Sequence, residues 1–189
     1  MATPVRILGI SGSLRRLSFN TALLRAAQGM AIDGVTLDVA TLHGIPLYDG
    51  DLEQQSGIPQ AVLDLKARVL ASDALLFSTP EYNNGIPGVF KNAIDWLSRA
   101  DIPVVFGNRL VAVVGASPGG FGTILAQAQW LPVLRTLGAR HWAGGRLLVS
   151  RAHTLMNPEG DLVDEKTVAL LRAFVTAFAE VVREDVHRS

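Results

Sequence analysis

The sequence predicts an α/β fold: one five-stranded parallel sheet, sandwiched between helices to make three layers. Two observations carry that reading. Five short runs rich in Val, Ile, Leu and Phe recur along the 189 residues, and stretches with helical spacing separate them. The first, third and fourth runs are apolar almost throughout, as strands buried on both faces are. Strand followed by helix, repeated five times, calls for right-handed crossovers and places helices above and below the sheet.

The elements follow in order. VRILGI (5–10) is the first strand, and the Ala/Leu-rich stretch 21–30 is the first helix, punctuated by Gly34. VTLDVA (35–40) is the second strand. TLHGIPLYDGDLEQQSG (41–57) is the longest connection, and connections of that length serve function or oligomer contacts more often than they stand idle. A helix is expected over 58–71, with Pro59 in its first turn and Val62, Leu65, Val69 and Leu70 as its apolar positions. ALLFS (74–78) is the third strand and 87–99 the next helix. LVAVVGA (110–116) leads to a helix over 121–137 that Gly138 stops. RLLVS (146–150) is the fifth strand. Val168, Leu171, Val175, Phe178 and Val182, three and four residues apart, form one face of a last helix. No repeat, low-complexity tract or linker interrupts this order, so a single domain over 1–189 is expected.

Composition narrows the partners. Lys plus Arg and Asp plus Glu both count 17, which leaves no basic field for nucleic acid. Hydrophobic residues make up 49% of the chain, yet no stretch reaches the eighteen or so apolar residues of a membrane span. The amino terminus reads directly into a strand rather than a secretion signal, so a cytoplasmic location is expected. There is no cysteine, hence no disulfide, thiolate nucleophile or Cys-based metal site. Redox chemistry would have to come from a cofactor.

The turn after the first strand, GSLRRLSFN (12–20), carries more donors than a turn needs. A strand-to-helix turn already offers free N–H groups and the positive end of a helix dipole to an anion. Ser11, Ser13 and Ser18 add hydroxyls, Asn20 an amide, and Arg15 a planar fork suited to phosphate oxygens. The bland alternative is that Ser18 or Asn20 caps the helix while Arg15 and Arg16 lie in solvent. The turn lacks both the G-x-x-x-x-G-K-[ST] of nucleoside triphosphatases and the G-x-G-x-x-G of the dinucleotide fold.

Two further loops leave the same sheet edge: STPEYNNGIPGVFKNAIDW (78–96) after the third strand and GASPGGFGT (115–123) after the fourth. With GSLRRLSFN, IPLYDGDLE, PEYNNGIPGVFKNAIDWLSR and GASPGGFG in this order, the chain resembles the NADPH-dependent FMN reductase family, including its flavodoxin-like quinone and chromate reductases. The resemblance implies FMN as cofactor, NADPH or NADH as donor, strand order 2-1-3-4-5, and a homodimer or homotetramer. It also implies that Ser11, Ser13, Arg15, Ser18, Asn20 and Thr21 surround the phosphate. Pro80, Glu81, Tyr82, Asn83 and Asn84 would border the isoalloxazine, and Ser117, Gly119, Gly120 and Gly122 its other edge. PEYNNG is also a plain collection of turn formers, and Glu81 and Tyr82 then serve to hold the loop.

The implied reaction passes hydride from NADPH to FMN, then electrons to a quinone, flavin, chromate or similar acceptor, in ping-pong order, with no catalytic side chain. An electron carrier of the flavodoxin type is the alternative. GASPG also matches the G-x-S-x-G of hydrolases, but Pro118 lacks the N–H such an oxyanion hole requires. His43, His141, His153 and His187 lack metal-ligand spacing, and no metal is expected. Trp96, Trp130 and Trp142 are read as core.

Overall fold

The structure is a computed structural model that describes residues 4–188. Residues 1–3 and 189, included in the expected domain, lie outside the described residues. The strands are β1 (Val5–Ser11), β2 (Val35–Ala40), β3 (Ala74–Ser78), β4 (Leu110–Ala116), β5 (Arg140–His141) and β6 (Leu147–Val149). All pair in parallel, in the order β2-β1-β3-β4-β5, and β6 also pairs with β4. This is the flavodoxin-like order that the resemblance implied. Every residue of β3 and β4 is buried, which is why those runs carry no polar alternation. Edge strand β2 buries only Leu37 and Ala40.

The helices are α1 (Phe19–Gln28), α2 (Gly50–Ser56), α3 (Gln60–Leu70), α4 (Gly88–Arg99), α5 (Ile102–Val105), α6 (Ile124–Thr136) and α7 (Glu165–Arg188). Side chains of successive strand residues leave opposite faces of the sheet, so the apolar runs feed two cores. On one face, Leu23 and Leu24 of α1 and Leu171, Phe174 and Phe178 of α7 pack on Ile7, Leu76, Ala112 and Val114. On the other, α3, α4 and α6 pack on Leu8, Ile10, Leu75, Phe77, Val111 and Val113. There Phe77, Phe90 and Trp130 form a ring triad with centroids 4.7–5.0 Å apart. Burying each such ring contributes roughly 1.5–3 kcal/mol. Trp96, Trp130 and Trp142 are all buried.

Two features depart from the sequence reading. The fifth sheet position is filled by two short strands rather than one. β5 pairs with Leu110 and Val111, and β6 with Val114 to Ala116. Between them the Trp142 ring turns into the α7 core, 5.0 Å from Phe174, and the chain wraps over it. A Cβ at Gly144 would lie 2.7 Å from Trp142 Nε1, and one at Gly145 2.6 Å from its Cη2. Only glycines permit that wrap. The second departure is α2, inside the connection expected to be irregular. Asp49 caps it by accepting from Asp51 N at 2.9 Å, and the connection is lashed to α4. Trp96 Nε1 and Asn92 Nδ2 both donate to Pro46 O, at 2.9 and 2.8 Å.

Asp164 starts α7. Its carboxylate accepts from Thr167 N at 2.8 Å and from Thr167 Oγ1 at 2.7 Å. Those bonds, the hydroxyl's first, hold its pKa below the ordinary 3.8. A carboxyl depressed on folding contributes stability that is complete above its unfolded value and lost as pH falls through the folded one. Asp164→Asn is therefore expected to lower the melting temperature at pH 7, and the gap to the parent should begin to narrow as pH falls below about 4. Melting curves at pH 7 and pH 3 check this; an equal gap at both would refute it.

Candidate active site

The chain leaves β1 for β2 on one side and returns to β3 on the other, so β1 and β3 flank the switch point where such sheets bind ligands. Three loops emerge at the carboxyl ends of β1, β3 and β4: 12–18, 79–87 and 117–123. Gly12 N donates to Ser78 O at 2.9 Å, starting the first loop against β3. A Cβ at Gly12 would sit 2.3 Å from Phe90 Cδ1 and 2.9 Å from Pro80 Cδ, so this crossing admits only glycine.

The loops enclose a small cleft of about 50 Å³. It brings together Ser13, Arg15, Ser18 and Asn20 from the first loop, Pro80, Glu81 and Tyr82 from the second, and Ser117 from the third. Phe19, Ala116 and Pro118 also line it and were not among the cofactor contacts expected from the sequence. For Phe19 a local signal existed: Arg15 lies over its ring, 5.7 Å from the centroid. Ser11 and Thr21 stand behind the loop instead, their buried hydroxyls 2.7 Å apart and bonded to each other.

Asn20 is fully engaged by the fold. Its Nδ2 donates to Ala116 O at 2.9 Å, while Oδ1 accepts from Ala116 N at 3.0 Å and Ser78 Oγ at 3.1 Å. Ser18 is the N-cap of α1, accepting from Thr21 N at 3.2 Å. Ser13 Oγ accepts from Arg15 N at 3.2 Å. Both hydroxyls keep their protons to donate. The N–H groups of Leu14, Arg16 and Leu17, and the guanidinium of Arg16, have no hydrogen-bond partner among the described residues.

In the second loop, Tyr82 and Gly85 exchange both backbone bonds, at 3.1 and 3.0 Å. Asn83 and Asn84 between them have φ of 49° and 64°, a tight turn that asparagine tolerates better than most residues. Both asparagines are exposed. Glu81 Oε2 accepts from Leu125 N at 2.8 Å and Ala126 N at 2.9 Å, capping α6 from a distance of more than forty residues in sequence. In the third loop Ser117 Oγ donates to Gly122 O at 2.6 Å, closing the loop on itself. That serine has no histidine partner, which removes the hydrolase reading. Gly122, at φ 63°, is needed for the turn. Gly119 and Gly120 are not: a Cβ at Gly120 would meet nothing within 4 Å, and at Gly119 only Ser117 Oγ at 3.7 Å.

Residues 5–154 match the family described as NADPH-dependent FMN reductase. The chain belongs to that family. An NAD(P)H-dependent FMN reductase of Pseudomonas aeruginosa is 39% identical over 183 residues, covering 97% of this chain and 98% of that protein. A 2-hydroxy-1,4-benzoquinone reductase of a Burkholderia species is 33% identical, covering 95% and 97%. Among solved structures, the flavoenzyme NAD(P)H:(acceptor) oxidoreductase FerB of Paracoccus denitrificans superposes with a TM-score of 0.78 at 34% identity, over 95% of this chain and 98% of that one. This FMN reductase-family chain is thus an NAD(P)H-dependent flavin oxidoreductase.

The residues present fit FMN. Unpaired N–H groups, two hydroxyls with protons to donate and the Arg15 guanidinium suit a phosphate. Gly119 and Gly120, which neither backbone conformation nor packing within the chain requires, leave room for a flat ring beside the backbone.

Because Asn20 braces the sheet, Asn20→Ala leaves three buried groups unmet, each costing about 1–3 kcal/mol. Urea unfolding of the flavin-free protein is expected to show a loss of about 3 kcal/mol or more. A variant as stable as the parent would assign Asn20 to the ligand alone.

Proposed function

We propose that this chain acts as a single-domain cytoplasmic quinone reductase, with the phosphate of FMN at Ser13, Arg15 and Ser18. Ser11, Asn20 and Thr21 hold that loop from behind. Pro80 to Asn84 border the isoalloxazine on one side, and Ser117, Gly119, Gly120 and Gly122 on the other. The observation that carries the reading is the convergence of the anion-binding turn with the two ring-sized loops on one cleft at the switch point.

When bound, FMN would supply the redox chemistry, hydride uptake from NAD(P)H and electron delivery to the acceptor. The chain's own part is to bind and orient. Glu81 is the only acid among the cleft-lining residues, and its Oε2 accepts two α6 N–H bonds, which gives it a part in holding the loop. Tyr82 and Phe121, 48% and 81% exposed, offer aromatic surface at the same edge to a planar acceptor such as a quinone. Donor and acceptor then use one opening in turn, which is a ping-pong order. No described helix is long and apolar enough to cross a membrane.

The groove between α4 and α6, about 380 Å³, is lined by Ile94, Ile102, Pro132, Val133 and Leu137 together with Lys91, Asp95, Ser98 and Thr136, and suits a second copy of the chain in a homodimer or homotetramer. Sedimentation of the flavin-loaded protein tests this; a monomer at all concentrations would exclude it.

Anaerobic NADPH is expected to bleach the flavin absorption of the loaded protein, and benzoquinone to restore it. Double-reciprocal plots at several quinone concentrations should be parallel. Arg15→Ala is expected to weaken FMN binding about tenfold or more, the loss of one charge-assisted bond. A protein that takes up no FMN, or that holds FMN which NADPH leaves oxidised, would overturn the proposal.

A further inference from the structure

The first loop is held from outside as well as from behind. Between Ser13 and Ser18, Leu14, Arg15 and Arg16 are exposed, and only Leu17 is partly buried. Leu17 lies flat on Gly160. A Cβ built at Gly160 would be 2.8 Å from Leu17 Cδ2, 3.4 Å from its Cβ and 3.6 Å from its Cγ. Gly160 has φ 89°, so the position demands glycine for its backbone as well as for the contact.

The turn carrying Gly160 is closed by its own hydrogen bonds. Asn157 N donates to Asp161 O at 2.9 Å, Gly160 N to Asn157 O at 3.0 Å, and Asp161 N to Asn157 Oδ1 at 2.7 Å. Met156 and Leu162 pair across it, and Leu162 is buried in the α1/α7 core. The same excursion is fastened to the third loop by Arg151 N to Gly119 O at 2.9 Å and Ala152 N to Ser117 O at 3.0 Å. One strap therefore joins two walls of the cleft, and its Gly160 turn lies beyond the family match, which ends at residue 154.

We infer that the 157–161 turn is a positioning element for the anion-binding loop, acting on the phosphate end of the cofactor through the Gly160–Leu17 contact. The inference rests on the proposed phosphate site. The Leu17 side chain and Gly160 lie outside the lining of the cleft; they fix where Ser13, Arg15 and Ser18 stand. Short charged hydrogen bonds lose strength steeply with displacement, so a loop freed on its outer side binds a phosphate less well. Binding of the ring, held by the other two loops, does not depend on this contact.

The test compares FMN with riboflavin, which has the same ring and no phosphate. Dissociation constants are measured by quenching of flavin fluorescence on the flavin-free protein, for the parent, Leu17→Ala, Leu17→Met, Gly160→Ala and Ser13→Ala. Leu17→Ala and Gly160→Ala are expected to weaken FMN about tenfold, a change of about 1.4 kcal/mol, and riboflavin less than about twofold. Leu17→Met, which refills the contact, is expected to restore FMN binding. Leu17→Ala adds no strain, so it keeps the test sound if the Gly160 variant fails to fold. Equal weakening of both flavins, or no change in Leu17→Ala, overturns the inference. If the parent and Ser13→Ala both bind FMN and riboflavin alike, the phosphate site itself is wrong.

Discussion

The site depends on one buried amide. β4 runs two residues beyond its last partner on β3, because the register pairs Ser78 with Val114. Ala116 therefore turns an N–H and a C=O toward a place where no strand continues. Asn20 takes both, and Ser78 Oγ donates to the same amide. In a medium of low dielectric such a closed set of bonds is strong, and leaving any member unmet is costly. Asn20 is the second residue of α1, so the bonds also fix where that helix begins. The first loop then spans two points that cannot move: Gly12 on β3 and the start of α1 on β4.

The other loops reach their shape by similar self-contained means. The second closes through paired backbone bonds around two left-handed asparagines, and the third through Ser117 and Gly122. Each loop presents backbone or hydroxyl groups to the cleft while satisfying its own geometry without a ligand.

Much of this was legible in the sequence. Strands buried on both faces produce continuous apolar runs, and glycine, proline and asparagine mark the turns between them, so the layers and the three loops could be read directly. What escaped reading was non-local. Arg140 and His141 form a strand because β4 has an open edge beside them, not because of any alternation of their own. Glu81 caps a helix that starts more than forty residues later. Asn20 was visible as an amide at a helix start, but a bond to a ligand and a bond to a strand end look alike at that level. The Gly160 turn reads as a surface loop until its partner Leu17 is known.

The Glu81 cap carries one more consequence. Two helix amino termini, those of α1 and α6, face the same edge of the sheet. The second is already quenched by the chain's own carboxylate, whereas the first has no acidic residue in its opening turn and stands beside two arginines. Cationic side chains thus stand at the α1 end of the cleft, and a carboxylate side chain at the α6 end. A molecule with an anionic tail and an uncharged head meets a field that admits it one way round, so its heading is chosen before any contact with the head is made.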